Sequence, residues 1–130
     1  MNDAMKKAAA AAADVDQHIL ETRIRPLVTP ETIAEHQADP FGAGHGPELE
    51  MLLRFLRRNP MRTKPRYLLV ETVPYKEWCL ALYHRRRGEG PTLTDTRFTS
   101  REAAQHAIFL KRLLDLDDPT ITSVVEAAEH

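Results

Sequence analysis

At 130 residues, with 18 Lys and Arg against 19 Asp and Glu, the chain has the length of one domain. Its formal net charge of −1 excludes any global attraction to nucleic acid or to an anionic membrane. A single cysteine, Cys79, rules out an intrachain disulfide and fits a reducing compartment.

The N-terminus opens with Lys6-Lys7 and a run of alanines, a superficial likeness to a secretory leader. Asp14 and Asp16 follow at once and no leucine-rich segment is present, so the stretch reads as an exposed helix. Residues 3–23 are expected to be helical, with Asp3 as cap. Val15, Ile19 and Leu20 give it a narrow apolar stripe, suited to docking on something else. Arg25-Pro26 ends this segment. Thr29-Pro30-Glu31 signals the next start, with Thr29 at the cap and Pro30 at the first helical position. The spacing predicts a short helix over 30–38 anchored by Ile33 and Ala34.

Asp39 to Pro47 is a compact loop in which prolines fix φ and glycines relax it. Phe41 is its only large apolar side chain, and two readings stand: it plugs the local core, or it inserts into a partner. From Pro47 to Arg58 the residues Leu49, Leu52, Leu53 and Leu56 recur at helical spacing. Acidic residues lie in the first turn and Arg54, Arg57 and Arg58 in the last, as the helix dipole favours. Residues 60–65 form a linker.

Tyr67–Thr72 and Trp78–Tyr83 are two strand-like runs around Pro74-Tyr75, the pattern of an antiparallel hairpin with a longer loop. Arg85-Arg86-Arg87-Gly88-Glu89-Gly90-Pro91 stops any strand. Thr99 and Glu102 then give a capping-box signature. The helix it starts carries Ala103, Ala104, Ala107, Ile108, Leu110, Leu113 and Leu114 on one wide face, which the hairpin covers. Asp117-Asp118-Pro119 breaks the chain, and the rest carries weak structure signals. The expected fold class is α+β: a small single domain with N-terminal helices, then a β-hairpin packed on a long C-terminal helix. Within it, residues 1–29 form a helical arm, 30–118 the core and 119–130 a tail.

The search for chemistry yields no catalytic or metal site. Histidines at 18, 36, 45, 84, 106 and 130 form no i, i+4 pair and no zinc-hydrolase pattern. His106, one residue before the apolar face of its helix, reads as hydrogen-bonded or exposed. Cys79, mid-strand and without a cation or helix start beside it, reads as a small buried hydrophobe. No phosphate-binding glycine loop or nucleophile elbow is present. No apolar run approaches the roughly 20 residues of a membrane span. Two basic patches stand out: Arg54, Arg57, Arg58, Arg62, Lys64 and Arg66, then Arg85, Arg86 and Arg87. They suit a solvated surface, a protein interface or nucleic acid, the last disfavoured by the overall charge.

Several segments in order resemble one known family. His36–Gly42, Leu53-Arg54 through Asn59-Pro60, Arg66-Tyr67, Glu77-Trp78, Asp95–Thr99 and Glu102–Arg112 are together similar to the small subunit of N,N-dimethylformamidase, a heteromeric amide hydrolase. The resemblance spans residues 33–117. It implies a non-catalytic chain with no cofactor of its own, beside a large catalytic subunit that holds a mononuclear iron. It further implies a complex that hydrolyses N,N-dimethylformamide to dimethylamine and formate, or a related amide; the N-terminal reading and the lone cysteine make the expected location cytoplasmic. Partner-contacting residues are expected at Pro40, Phe41, Gly42 and His45 of the loop and at Arg85, Arg86 and Arg87. A small nucleic-acid-binding protein is the alternative, marked by steep salt dependence. A standalone enzyme using His and Cys79 is a third class, marked by activity lost on Cys79→Ser.

Overall fold

Alanine, the best helix former, fills the middle of the first helix. In the computed structural model, which describes residues 3–58, 64–83, 88 and 90–129, α1 runs over Asp3–Ile19. Its described side chains before Asp16 are exposed, Val15 among them at 57%. The helix then widens into a π-turn over Leu20–Ile24 and tightens into a 3₁₀ turn over Arg25–Leu27. Pro26 has no N–H to continue the α ladder, which accounts for the break. The rearranged turns seat Leu20 and Ile24 in the core, so the arm is held by its C-terminal end.

α2 covers Pro30–Ala38 as the cap signal predicts. Thr29 Oγ1 accepts from Thr32 N at 3.2 Å, and Thr32 Oγ1 accepts from Thr29 N at 3.1 Å, a capping box with threonine in the returning role. Ile33 is buried as expected, but the second anchor is not Ala34, which is exposed; Thr32 and His36 are the other buried residues. α3 spans Pro47–Arg57, and Leu49, Leu52 and Leu56 point into the core together with Phe55.

The hairpin forms from β1 (Arg66–Val73) and β2 (Glu77–Tyr83), in the register Tyr67↔Leu82 and Leu69↔Leu80. Tyr75 adopts φ +62° in the connecting turn, and Glu71 Oε1 accepts its N–H at 3.0 Å. The sequence reading ended the sheet here, and the structure corrects it. Residues Thr92–Phe98 form β3, antiparallel to β2, so the sheet has the order β1-β2-β3. β3 has little apolar content because it is an edge strand, guarded by Asp95 and Arg97.

α4 spans Arg101–Leu114 and packs across all three strands. Its cap is Ser100 rather than Thr99: Ser100 Oγ accepts from Ala103 N at 3.2 Å. The expected box was displaced by one residue, which leaves Glu102 in the first turn without its reciprocal role. Residues 119–130 were expected as a tail, yet Pro119–Ala128 form α5. Asp118-Pro119 is a start signal, with Asp118 at the N-cap and proline at the first position. Ile121 and Val125, one turn apart, complete a core shared with Leu20, Ile24, Leu49, Leu52, Phe109 and Leu113.

Candidate functional site

The loop between α2 and α3 is shaped by its own polar groups. Gly42 N donates to Asp39 O at 3.1 Å, closing a tight turn. Gly46 N donates to Glu35 Oε2 at 2.7 Å, tying the loop's far end to α2. His45 Nε2 lies 2.7 Å from Asp39 O; a carbonyl only accepts, so this nitrogen carries the proton. Its other nitrogen, Nδ1, is buried with no hydrogen-bond partner among the described residues. Gly42 leaves room for two side chains: a Cβ there would displace the Asp39 carboxylate and lie 3.1 Å from His45 Nε2.

Pro40 is buried beneath this loop, while Phe41 stays 42% exposed. Phe41 therefore does not plug the core. The guanidinium of Arg101, from the first turn of α4, sits 4.1 Å from its ring centroid in a cation–π contact. An aromatic ring and a cation thus form one outward-facing feature, positioned by two elements.

Directly below lies a histidine pair that the sequence did not reveal. His36 is 1% exposed, stacked on Phe109 with centroids 4.0 Å apart, and its Nδ1 is 2.9 Å from His106 Nδ1. One nitrogen must donate and the other accept, so the two neutral rings hold different tautomers. Burial, then the His106 and His45 rings, push the His36 pKa from 6.5 down to about 4. Burial also lowers that of His106. At neutral pH the pair is uncharged, and it joins α2 to α4 under the loop. His106, Phe109, Leu113 and Leu116 fall at helical spacing, a signal that His106 belongs on the buried face.

Cys79 is buried at 0% exposure, as read from the sequence, but not without a cation. Arg97 Nη1 lies 2.7 Å from its Sγ, across the β2–β3 pairing. That neighbour was invisible while β3 went unpredicted. Arg85, Arg86 and Arg87, nominated as partner contacts, lie outside the described residues, as does His84. Among the described residues no group of three or more His, Cys, Asp or Glu side chains is placed to hold a metal ion. Among them also, no helix is long and apolar enough to cross a membrane.

Comparison with known proteins adds a family. The sequence model of the N,N-dimethylformamidase alpha subunit matches residues 10–122. The alpha subunits of N,N-dimethylformamidase from Paracoccus aminophilus and from Alcaligenes sp are each similar to this chain, at 35% identity over 89 residues. That segment covers 67% of this chain and 61% and 65% of the two relatives, so the match spans somewhat under two thirds of their length.

Proposed function

The chain belongs to the N,N-dimethylformamidase alpha-subunit family, and from that membership we propose that it is a non-catalytic accessory subunit. In this reading it binds and stabilises a larger subunit, which carries the mononuclear iron and hydrolyses N,N-dimethylformamide to dimethylamine and formate. The observation that carries the reading is the family match across residues 10–122, to a protein defined as one subunit of an enzyme. The side chains support it. Amide hydrolysis needs an activated water and a stabilised oxyanion. Here His36 and His106 are spent on each other, and Cys79 is buried under Arg97. The braced loop with Phe41 and Arg101 at its surface serves as a contact for the partner. The lone thiol suits a complex kept in the cytoplasm.

A partner that binds only the folded state stabilises it by mass action, and the effect is reciprocal. The test is to purify the two chains separately and together, then measure melting and release of amine from N,N-dimethylformamide. The expected result is no activity from this chain alone and a more heat-resistant complex than either chain. Amine release by this chain alone, or a larger chain indifferent to its presence, overturns the proposal.

A further inference from the structure

We propose that the free edge of β1 pairs with the β1 edge of a second copy of this chain, joining two three-stranded sheets antiparallel about a two-fold axis. The inference goes beyond the accessory-subunit reading, since it concerns what the chain does with itself. In the order β1-β2-β3 both β1 and β3 are edges. Half of the N–H and C=O groups of an edge strand point away from its neighbour. Among the described residues, β1 makes no backbone hydrogen bond outside its β2 ladder, except that Val73 O accepts from Lys76 N in the turn.

The two edges differ in how they are guarded. β3 carries Asp95 and Arg97, and its register with β2 shifts between Cys79 and Ala81. Charge and irregular pairing of that kind keep an edge from accepting another strand. From Tyr67 to Val70, β1 has no charge, no proline and no register shift, and its side chains are bulky. A bare edge of this kind is a template for a further strand.

The faces of the strand set how two copies meet. Tyr67 OH donates to Asp115 Oδ2 at 2.6 Å, at the C-cap of α4, so Tyr67 and Leu69 lie on the α4 side. Arg66, Leu68 and Val70 lie on the other. There Leu68, 39% exposed, and Leu93, 50% exposed, flank Ala81 in one row across the sheet. A two-fold axis normal to the sheet keeps α4 on the same side in both copies. Directly opposed residues of an antiparallel pair share a face, so the axis passes beside one residue rather than between two. With the axis at Leu69, Leu68 meets Val70 of the second copy and Tyr67 meets Glu71. With the axis at Leu68, the two leucines meet each other and Tyr67 meets Leu69. Neither register opposes like charges, because Arg66 and Glu71 stand at opposite ends of the run. The strand is complementary to itself, as an isologous contact requires, and the guarded β3 edge stops the pairing at two copies.

The test is sedimentation of the purified full chain over a range of concentrations, with Leu68→Lys and Leu93→Lys beside it. Both side chains are exposed on the same face, so either variant keeps the fold, which circular dichroism checks. A reversible dimer is expected. Its dissociation constant should rise at least about tenfold in Leu68→Lys, where two lysines meet near the axis, and stay unchanged in Leu93→Lys. Amide exchange adds a readout specific to the edge. Across β1 the Leu68→Lys monomer should alternate fast and slow amides, while the wild-type dimer should be slow throughout. A wild-type chain that stays monomeric at every concentration overturns the proposal, as does a dimer weakened more by Leu93→Lys than by Leu68→Lys. If the β1 amides slow only in a one-to-one complex with the larger subunit, the edge belongs to that partner and self-pairing falls.

Discussion

The Arg25 guanidinium closes on Asp118 across 93 positions of sequence, with Nε 2.8 Å and Nη2 2.6 Å from Oδ2. The other carboxylate oxygen caps α5, accepting from Thr120 N at 2.9 Å and Ile121 N at 3.1 Å. One aspartate thus ties the turn that ends the N-terminal arm to the helix that closes the core. Burial by itself would raise the Asp118 pKa; the Arg25 bond and the two backbone donors outweigh it and hold the carboxyl below its ordinary value. Asp118→Ala removes the cap, for which a loss of about 0.5–2 kcal/mol is expected, and strands Arg25 besides. Asp118→Asn keeps an acceptor for the cap and should cost less. The contribution is present above the unfolded carboxyl pKa and fades as pH falls through the lower folded value. Denaturant titration of the three proteins, equal in midpoint, would remove Asp118 from this role.

The His36–His106 pair gives a second, separate pH dependence. The folded His36 pKa, about 4, lies below the unfolded value of 6.5, so the unfolded chain binds the proton first as pH falls. Stability from this group is therefore full above pH 6.5 and is lost on acidification toward 4. Between pH 7.5 and 5 the loss should be about 2 kcal/mol, with His106 adding to it. Protonating both rings also places two N–H donors face to face at 2.9 Å, which breaks the α2–α4 joint. His36→Leu should be less stable at pH 7.5 yet flatter across this window. A wild-type stability that is level from pH 7.5 to 5 would show that the pair does not titrate as described.

The start of α4 separates two neighbouring hydroxyls. Ser100 Oγ accepts from Ala103 N, whereas Thr99 is exposed and makes no cap. Ser100→Ala should cost about 0.5–2 kcal/mol and Thr99→Ala close to nothing. Thermal melts of the two variants side by side decide it, and a larger loss at Thr99 would return the cap to the position read from sequence.

The residues explain which parts of the fold could be read in advance. Leu49, Leu52 and Leu56 repeat at helical spacing, and Thr29-Pro30 is a local start signal, so α3 and α2 were legible with little tertiary help. β3 was not, because an edge strand needs few apolar residues; Thr94, Asp95, Thr96 and Arg97 carry no apolar run, and the strand is defined by its pairing with β2, Cys79↔Arg97 and Ala81↔Leu93. α5 buries only Ile121 and Val125, too sparse a stripe to outweigh Asp117-Asp118-Pro119 as a break. The histidine pair is a contact between residues 70 apart, and no local pattern encodes it. Of the nominated loop, Phe41 does not plug the core, and the cation that covers it comes from α4, beyond the reach of local pattern.

Phe41 is where the two expected roles part most cleanly. Its ring is 42% exposed and touches the Arg101 guanidinium, a contact worth about 0.5–1 kcal/mol at such a site. Phe41→Ala should therefore lower the stability of the isolated chain by no more than about 1 kcal/mol. If the ring anchors the larger subunit, the same change should weaken assembly by about 2 kcal/mol or more, as buried aromatic anchors do. Gly42→Ala probes the loop's shape without removing the ring, since its Cβ would displace the Asp39 carboxylate and press on the His45 ring, 3.1 Å from Nε2. It should weaken assembly with Phe41 still present, while Pro40 and the histidine pair keep the core in place. Arg101→Ala should act in the same direction as Phe41→Ala, and the double variant should lose less than the sum, because the two side chains form one contact. Equal losses from Phe41→Ala in melting and in assembly would make the ring an ordinary part of the fold, and the interface would have to be sought elsewhere on the chain.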